Sequence, residues 1–522
     1  MAENRTTGNS TTEKGTLEGA GGAGQESAAG RLANVDALGG ALILFRLLAA
    51  VALVANASLF FITDVQRVLY PYFIDYGEGP VLQQAARLAR GLPIYQAFQG
   101  PPWLVGNYPP LFQLVLAPFT LLFPPTFFFG RALATLSAVA IGVLAGAIVH
   151  RHTRSRFAWL VTGLTFLGFY PIRDWSGYAR VDGFGLALVL GGLLALTYYR
   201  PDGPSREPLD ATSKRALVVA MLLLVAGGYT KQSLLLSGPA AACLYLFARS
   251  RRTAILFGAA LVGIVVGLAL VLQVLTGGYF LLDTVLANMN TLSTAAALSA
   301  DGKLWSVEHN LFYASAVVLA YLVWKRRGIM VAGFALFSLS NLVTIAKVGA
   351  AVNYYFEIEA GLAMLLGLGV GYLAANRALA ARLVQAALLV AIAWQASALY
   401  QADRGSVLAI SGQLAEKRLA DEVVLARIRA ANGPVIGDDA MGALYLLGRP
   451  IVIQPFEYSR LAIEGKWNQQ PFLETINQRR YALVVFTTSA MHGRYTPEML
   501  AAIEDNYVPV ATAGGIEIWA PI

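Results

Sequence analysis

The chain has 522 residues, of which 57% are hydrophobic and only 13% charged, with a formal net charge of +8. A soluble protein averages roughly 45–50% apolar and about 25% charged residues, so this composition excludes an ordinary water-soluble enzyme. The excess of positive charge does not mark a nucleic-acid binder, because the basic residues fall in short loops between apolar runs, where they orient a chain in a membrane.

In chain order, residues 1–35 are rich in Gly, Ser, Thr, Ala and Glu. They bury too little surface to offset the entropy of ordering, so a disordered cytoplasmic tail over 1–40 is expected. The tail lacks the short apolar core and small-residue cleavage site of a signal peptide. Apolar runs of about 20 residues, enough to cross a bilayer, then recur to residue 400. They fall at 41–62, 125–149, 157–172, 183–199, 216–230, 232–248, 254–275, 307–324, 329–346, 355–375 and 383–400. The loops on one side carry Arg151, Arg154 and Arg156, then Arg200, Arg206, Lys214 and Arg215, Arg249, Arg251 and Arg252, Lys325, Arg326 and Arg327, and Arg377 and Arg382. The other side is less basic: Arg67, Arg87, Arg90, Arg173, Arg180, Lys231, Lys303 and Lys347. The basic side belongs in the cytoplasm, which puts the N-terminus inside and, after about eleven spans, the C-terminus outside a plasma (inner) membrane. Segment 108–123 is apolar but short and bounded by Pro109-Pro110 and Pro124-Pro125. It is expected as a re-entrant or interfacial helix in the first outer loop, because a full crossing would invert every later loop.

After Tyr400 the character changes. A charged amphipathic helix over 413–431 is followed by strands expected at 434–437, 450–454, 481–487, 508–512 and 516–520, with helices between several of them. The expected architecture is a polytopic α-helical membrane domain, 41–400, with a small extracytoplasmic α/β domain, 401–522. Cys243, the single cysteine, permits no intrachain disulfide, and His150, His152, His309 and His492 have no metal-ligand spacing.

The outer loops collect the unusual residues. The first contains Ile74-Asp75-Tyr76-Gly77-Glu78-Gly79-Pro80, then an amphipathic run to Arg90, then Gly91-Leu92-Pro93-Ile94-Tyr95 and Asn107-Tyr108-Pro109-Pro110-Leu111. Carboxylates beside a membrane helix are costly to place and point to a site. This acidic loop, with "G-x-P-x-Y" and "Y-P-P-L" after it, resembles the GT-C membrane glycosyltransferases, in particular the branch holding protein O-mannosyltransferases and lipid A aminoarabinose transferases. The resemblance implies transfer of a sugar from a polyprenyl-phosphate donor to an extracytoplasmic glycan, lipid or protein acceptor. It also implies Asp75 as the general base that takes the acceptor's proton. In the mannosyltransferases a Glu follows the Asp directly. Here Glu78 comes three residues later, leaving it to bind acceptor, to share a divalent metal with Asp75, or to cap the helix near Pro80.

The leaving group would be a lipid phosphate. Lys231 and Lys347 at outer span ends, and Arg173 and Arg180 around Asp174, Trp175 and Asp182, are the candidates to meet its charge. Arg180-Val181-Asp182 resembles the second outer element of these enzymes. Singly, such cations also snorkel to head groups. Among many interfacial aromatics, Tyr76 and Trp175 adjoin the charged motifs, and Tyr108 and Tyr354 share their loops. Asp64, nearer the first span, is expected to face water. Two rival readings remain, a transporter or flippase of lipid-linked sugars and a non-catalytic scaffold; the absence of an internal repeat and the charges gathered at one face disfavour the first. The loop charges also make a topological prediction. A cysteine introduced near the C-terminus should react with an impermeant maleimide in intact, right-side-out cells; labelling only after permeabilisation would reject the assignment.

Overall fold

The computed structural model describes residues 23–200, 209–487 and 491–522. The first part of the membrane domain comprises α1 (Ala23–Leu69), α2 (Glu78–Ala89), α3 (Leu111–Leu122), α4 (Phe128–Thr153), α5 (Arg156–Gly168), α6 (Tyr170–Trp175), α7 (Asp182–Leu196) and α8 (Ala211–Gly228). It continues with α9 (Ser237–Phe247), α10 (Arg251–Leu275), α11 (Tyr279–Leu281), α12 (Thr294–Lys325), α13 (Ile329–Ser338), α14 (Asn341–Thr344), α15 (Phe356–Ala374) and α16 (Leu379–Ala430). Every predicted apolar span is occupied by a helix. Seven helices are long and apolar enough to cross a membrane on their own, among the described residues. The protein is a polytopic membrane protein.

Side-chain caps set several helix starts. Ser155, Asp210, Ser250 and Ser293 accept the backbone N–H of Ala158, Ser213, Thr253 and Ala296, which otherwise lack partners in the first turn. α15 is the central element, packed against α4, α5, α12, α13 and α16 and buried along most of its length. α10 lies at the rim and turns Ile255, Val262, Leu270 and Val274 outward, as a lipid-facing helix does.

Two expectations are revised, for the tail and for the last span, whereas segment 108–123 forms the short helix expected of it. α1 begins at Ala23, so the expected disordered tail is helical from there; residues 1–22 lie outside the described residues. Segment 108–123 holds a helix of 12 residues, α3, with Pro118 inside it. At 1.5 Å per residue it reaches about 18 Å, short of the roughly 30 Å hydrocarbon core. The last span and the amphipathic helix expected after it form one 52-residue helix, α16, which runs through residue 401 and carries the chain into the terminal domain.

That domain holds β1 (Val435–Gly437), α17 (Met441–Leu446), α18 (Pro455–Ile463), α19 (Gln470–Asn477), β2 (Leu483–Thr487), α20 (Met491–Arg494), α21 (Pro497–Asn506), β3 (Tyr507–Ala513) and β4 (Ile516–Pro521). The sheet order is β1-β2-β4-β3; β1 and β2 are parallel and the other pairs antiparallel. The strand expected at 450–454 is not part of it. Ile453 instead bridges Trp103 of the first outer loop, with Trp103 N–H donating to the Val452 carbonyl at 2.7 Å and Gln454 N–H to that of Trp103 at 3.0 Å. The alternation of 450–454 therefore matches a real pairing, but with a partner more than 300 positions away in the chain.

The sheet is covered on both faces by that same loop. Side chains alternate across a strand. Val435, Leu483, Val485, Ile516 and Ile518 pack with Phe73, Val81, Leu82, Ala85 and Leu104, whereas Ile436, Val484 and Phe486 pack with Phe98, Trp103 and Val105. Close approach of α2 to α17 needs glycine at position 79. A Cβ on Gly79 would stand 2.7 Å from the backbone nitrogen of Gly442. The terminal α/β unit thus shares its core with the membrane domain.

One ion pair ties the first outer loop to the bundle. Arg131, fully buried in α4, donates from Nε and Nη2 to the two oxygens of Glu78, both at 2.7 Å. Its remaining N–H groups reach the carbonyls of Arg67, Tyr70 and Tyr72. Arg131→Met should therefore lower stability by about 3–5 kcal/mol, because it strands a buried carboxylate. The melting temperature of the purified variant measures this, and an unchanged value would refute the anchor.

Candidate active site

The outer loops converge on a cavity of about 820 Å³. Its walls come from Tyr76, Asn107 and Tyr108 of the first outer loop, Trp175 and Arg180 before α7, Lys231 after α8, Asn288 and Lys347, Asn353 and Tyr354 before α15, and Phe456, Glu457 and Arg494 of the terminal domain. Seven of the residues singled out in the sequence line it: Tyr76, Tyr108, Trp175, Arg180, Lys231, Lys347 and Tyr354.

Asp75 stands behind this wall. Its Oδ2 accepts the N–H of Gly77 at 2.9 Å, a local turn that fixes the carboxylate, and lies 2.7 Å from Arg180 Nε. The Nε–H does not point along that line, so the contact acts as a charge pair rather than a directed hydrogen bond. The turn leaves room for Arg180 only because residue 77 has no side chain; a Cβ there would come within 1.9 Å of Nη1. Arg180 in turn lies over the Trp175 ring at 5.3 Å.

Asp182 holds the second cation. Its Oδ1 meets Lys231 Nζ at 2.5 Å and accepts from Asn353 Nδ2 at 2.7 Å, while Trp175 Nε1 donates to Oδ2 at 3.3 Å. Lys231 also lies 4.5 Å from the centre of the Tyr354 ring. Lys347 differs. It donates to Asn288 Oδ1 at 3.1 Å, and no carboxylate among the described residues lies within ion-pair distance. Burial, reinforced by the charge of Lys231, pushes its ammonium down to about 8.

The terminal domain contributes groups that no local motif in the sequence marks. Glu457 at the start of α18 accepts from the Tyr76 hydroxyl at 2.7 Å and from Asn107 Nδ2 at 3.3 Å. Burial raises its carboxyl above the usual range. Arg494 lies over the Tyr76 ring at 4.5 Å and pairs with Asp438, at 3.1 Å, and with Asp439. Burial pushes Asp438 up to about 7 against the pull of Arg494.

Other candidates lie elsewhere. Glu78 neither faces the cavity nor pairs with Asp75 for a metal. It is fully buried, and Arg131 and the Ala179 N–H occupy its oxygens. Burial would raise this carboxyl, but Arg131 and the surrounding N–H groups together hold it below the usual range. Arg173 pairs with Asp403 of α16, away from the cavity, and Asp174 only offers its carbonyl to Arg67. Asp64 does not face water. It is fully buried and accepts from Ser176 at 2.7 Å and Thr135 at 3.2 Å. Among the described residues no group of three His, Cys, Asp or Glu side chains is placed to hold a metal ion.

No family model matches the chain, and no curated protein does. Solved structures do. ArnT from Cupriavidus metallidurans in the apo state is 15% identical, with a TM-score of 0.59 over 93% of this chain and 98% of that one. The same protein bound to undecaprenyl phosphate gives 14% identity and a TM-score of 0.57 over 91% and 97%. The Archaeoglobus fulgidus oligosaccharyltransferase in the apo form gives 13% and 0.53 over 88% of this chain and 73% of that one. At such identities the likeness is one of fold, and it covers membrane and terminal domains together: the chain has the GT-C fold that its first outer loop resembles.

Proposed function

We propose that the chain is an integral-membrane glycosyltransferase that moves a sugar from a polyprenyl-phosphate-linked donor to an acceptor at the extracytoplasmic face, with Asp75 as general base. The observation that carries this reading is one cavity, in a GT-C fold, where Arg180, Lys231 and Lys347 converge beside Asp75. In support, one fold neighbour was solved with undecaprenyl phosphate, and an archaeal oligosaccharyltransferase, AglB, of the same fold was solved with dolichol phosphate and an inhibitory peptide.

In this reaction the acceptor oxygen bonds to the anomeric carbon as the bond from that carbon to the phosphate oxygen breaks. The acceptor proton passes to Asp75, whose Oδ1 has no hydrogen-bond donor among the described residues. The electron pair of the broken bond stays on the lipid phosphate. Cations already fixed in a partly buried site stabilise that charge without reorganising. Lys347 suits this role best, since Asp182 already offsets Lys231. Glu457 faces the cavity from the terminal domain and suits the acceptor. A flippase of lipid-linked sugars would need the cations but not a proton acceptor.

Two outcomes test this. Asp75→Asn should insert and fold normally yet lose transfer by about 10²-fold or more. Glu457→Gln should mainly raise the KM for acceptor. Full complementation of a null strain's glycan phenotype by Asp75→Asn at native expression would sink the base assignment and favour the flippase. The second outcome concerns pH. Lys347 is cationic below about 8 and neutral above, so kcat/KM for the lipid-linked donor should fall as pH rises through about 8. Lys347→Met should weaken donor binding about tenfold, the loss of a hydrogen bond to a charged group, and remove that limb of the profile. An unchanged profile would return Lys347 to a packing role.

A further inference from the structure

A second polar cavity lies at the other end of the helix bundle. Tyr354 lines the candidate active site just before α15; Tyr372, about five helical turns further on, lines this one. The cavity, of about 370 Å³, is walled by His152 at the end of α4, Tyr245 and Arg249 at the end of α9, Arg326, Arg327, Gly328 and Ile329 at the turn from α12 to α13, and Tyr372. Three arginines line it, all of them partly open to solvent, and no Asp or Glu among the described residues does.

Two general causes explain why this face is basic. Cytoplasmic loops collect Lys and Arg, and cations suit the C-terminal ends of α4, α9 and α12. Neither explains the arrangement around α13. This helix starts directly after Arg327, with Gly328 as its N-cap and no capping side chain, and Gly328 and Ile329 line the cavity. Its positive end therefore points at the same space as the three arginines. Cations beside a helix N-terminus repel one another unless an anion lies between them.

Two of the three arginines also lie against aromatic rings. Arg249 stacks at 3.6 Å from the centre of the Tyr245 ring, and Arg327 lies 5.7 Å from that of Tyr372. The rings orient the guanidinium planes without neutralising them. His152 adds a polar atom, Nε2, that is buried without a hydrogen-bond partner among the described residues.

We propose that this cavity binds a phosphate group, held by Arg249, Arg326 and Arg327 and the first N–H groups of α13. Two sources share that chemistry, the head group of an anionic phospholipid and a soluble phosphate. The site is independent of glycosyl transfer, and its test needs no turnover.

The full-length protein in phosphatidylcholine nanodiscs would be titrated with inorganic phosphate, with dihexanoylphosphatidylglycerol, and with dihexanoylphosphatidylcholine as the zwitterionic control. The readouts are calorimetry and the thermal unfolding midpoint. Saturable binding of at least one anion is expected, weakened about tenfold by R249A and by R327A. R252A, at an arginine on the same face that does not line the cavity, should bind like the parent chain. Phosphatidylglycerol binding alone assigns the site to lipid, and phosphate binding alone to a soluble ligand. If R249A fails to fold, R249K keeps the charge but not the fork and should bind severalfold more weakly. Absence of saturable binding by both anions, or equal loss in R252A, would overturn the proposal.

Discussion

The buried pair between Arg131 and Glu78 is the constraint on which the outer half of the molecule depends. An arginine inside an apolar span is tolerated only where its charge and its N–H groups all find partners. Arg131 finds them in one carboxylate and three carbonyls, drawn from the end of α1, the irregular stretch after it and the start of α2. That choice fixes where the first outer loop leaves the membrane. It also turns Glu78 inward, so that Asp75, three residues earlier, is the carboxylate left facing Arg180.

From that anchor the candidate site follows by packing rather than by local sequence. The first outer loop lies between the bundle and the terminal sheet and contributes apolar side chains to both faces of that sheet. The terminal domain consequently brings Glu457 and Arg494 to the cavity and encloses Tyr76 between them. A carboxylate and a guanidinium from the last hundred residues thereby meet a tyrosine from the first hundred, in a setting where burial strengthens each hydrogen bond between them.

The charges of the cavity are graded. Arg180 is paired with Asp75, Lys231 with Asp182, and Arg494 with Asp438 and Asp439, whereas Lys347 meets only an amide among the described residues. Under the proposed function, a site that receives a lipid phosphate benefits from one cation that is not already compensated. The pairs hold their members in fixed positions, and the free ammonium supplies net positive charge. The opposite face repeats the theme in a simpler form, with arginines set against aromatic rings in place of acids.

The sequence by itself determined the class of protein, the places of its apolar helices, the face on which the unusual residues gather, and the change of character after Tyr400. These follow from hydropathy and loop charge, which act over tens of residues and need no tertiary partner. It also marked Asp75, Arg180, Asp182, Lys231 and Lys347, because charges at span ends stand out in apolar surroundings. It misjudged Asp64 and left Glu78 open between the site and the helix start, since the burial of both depends on residues distant in the chain, Ser176 and Arg131. It did not mark Arg131, Glu457 or Arg494. The strand-like run at 450–454 found its partner in Trp103, not in the sheet. Which carboxylate pairs with Arg180 at the cavity wall and which is locked in the core depends on contacts between segments dozens to hundreds of residues apart, where no periodicity reaches; the tertiary structure alone decided it.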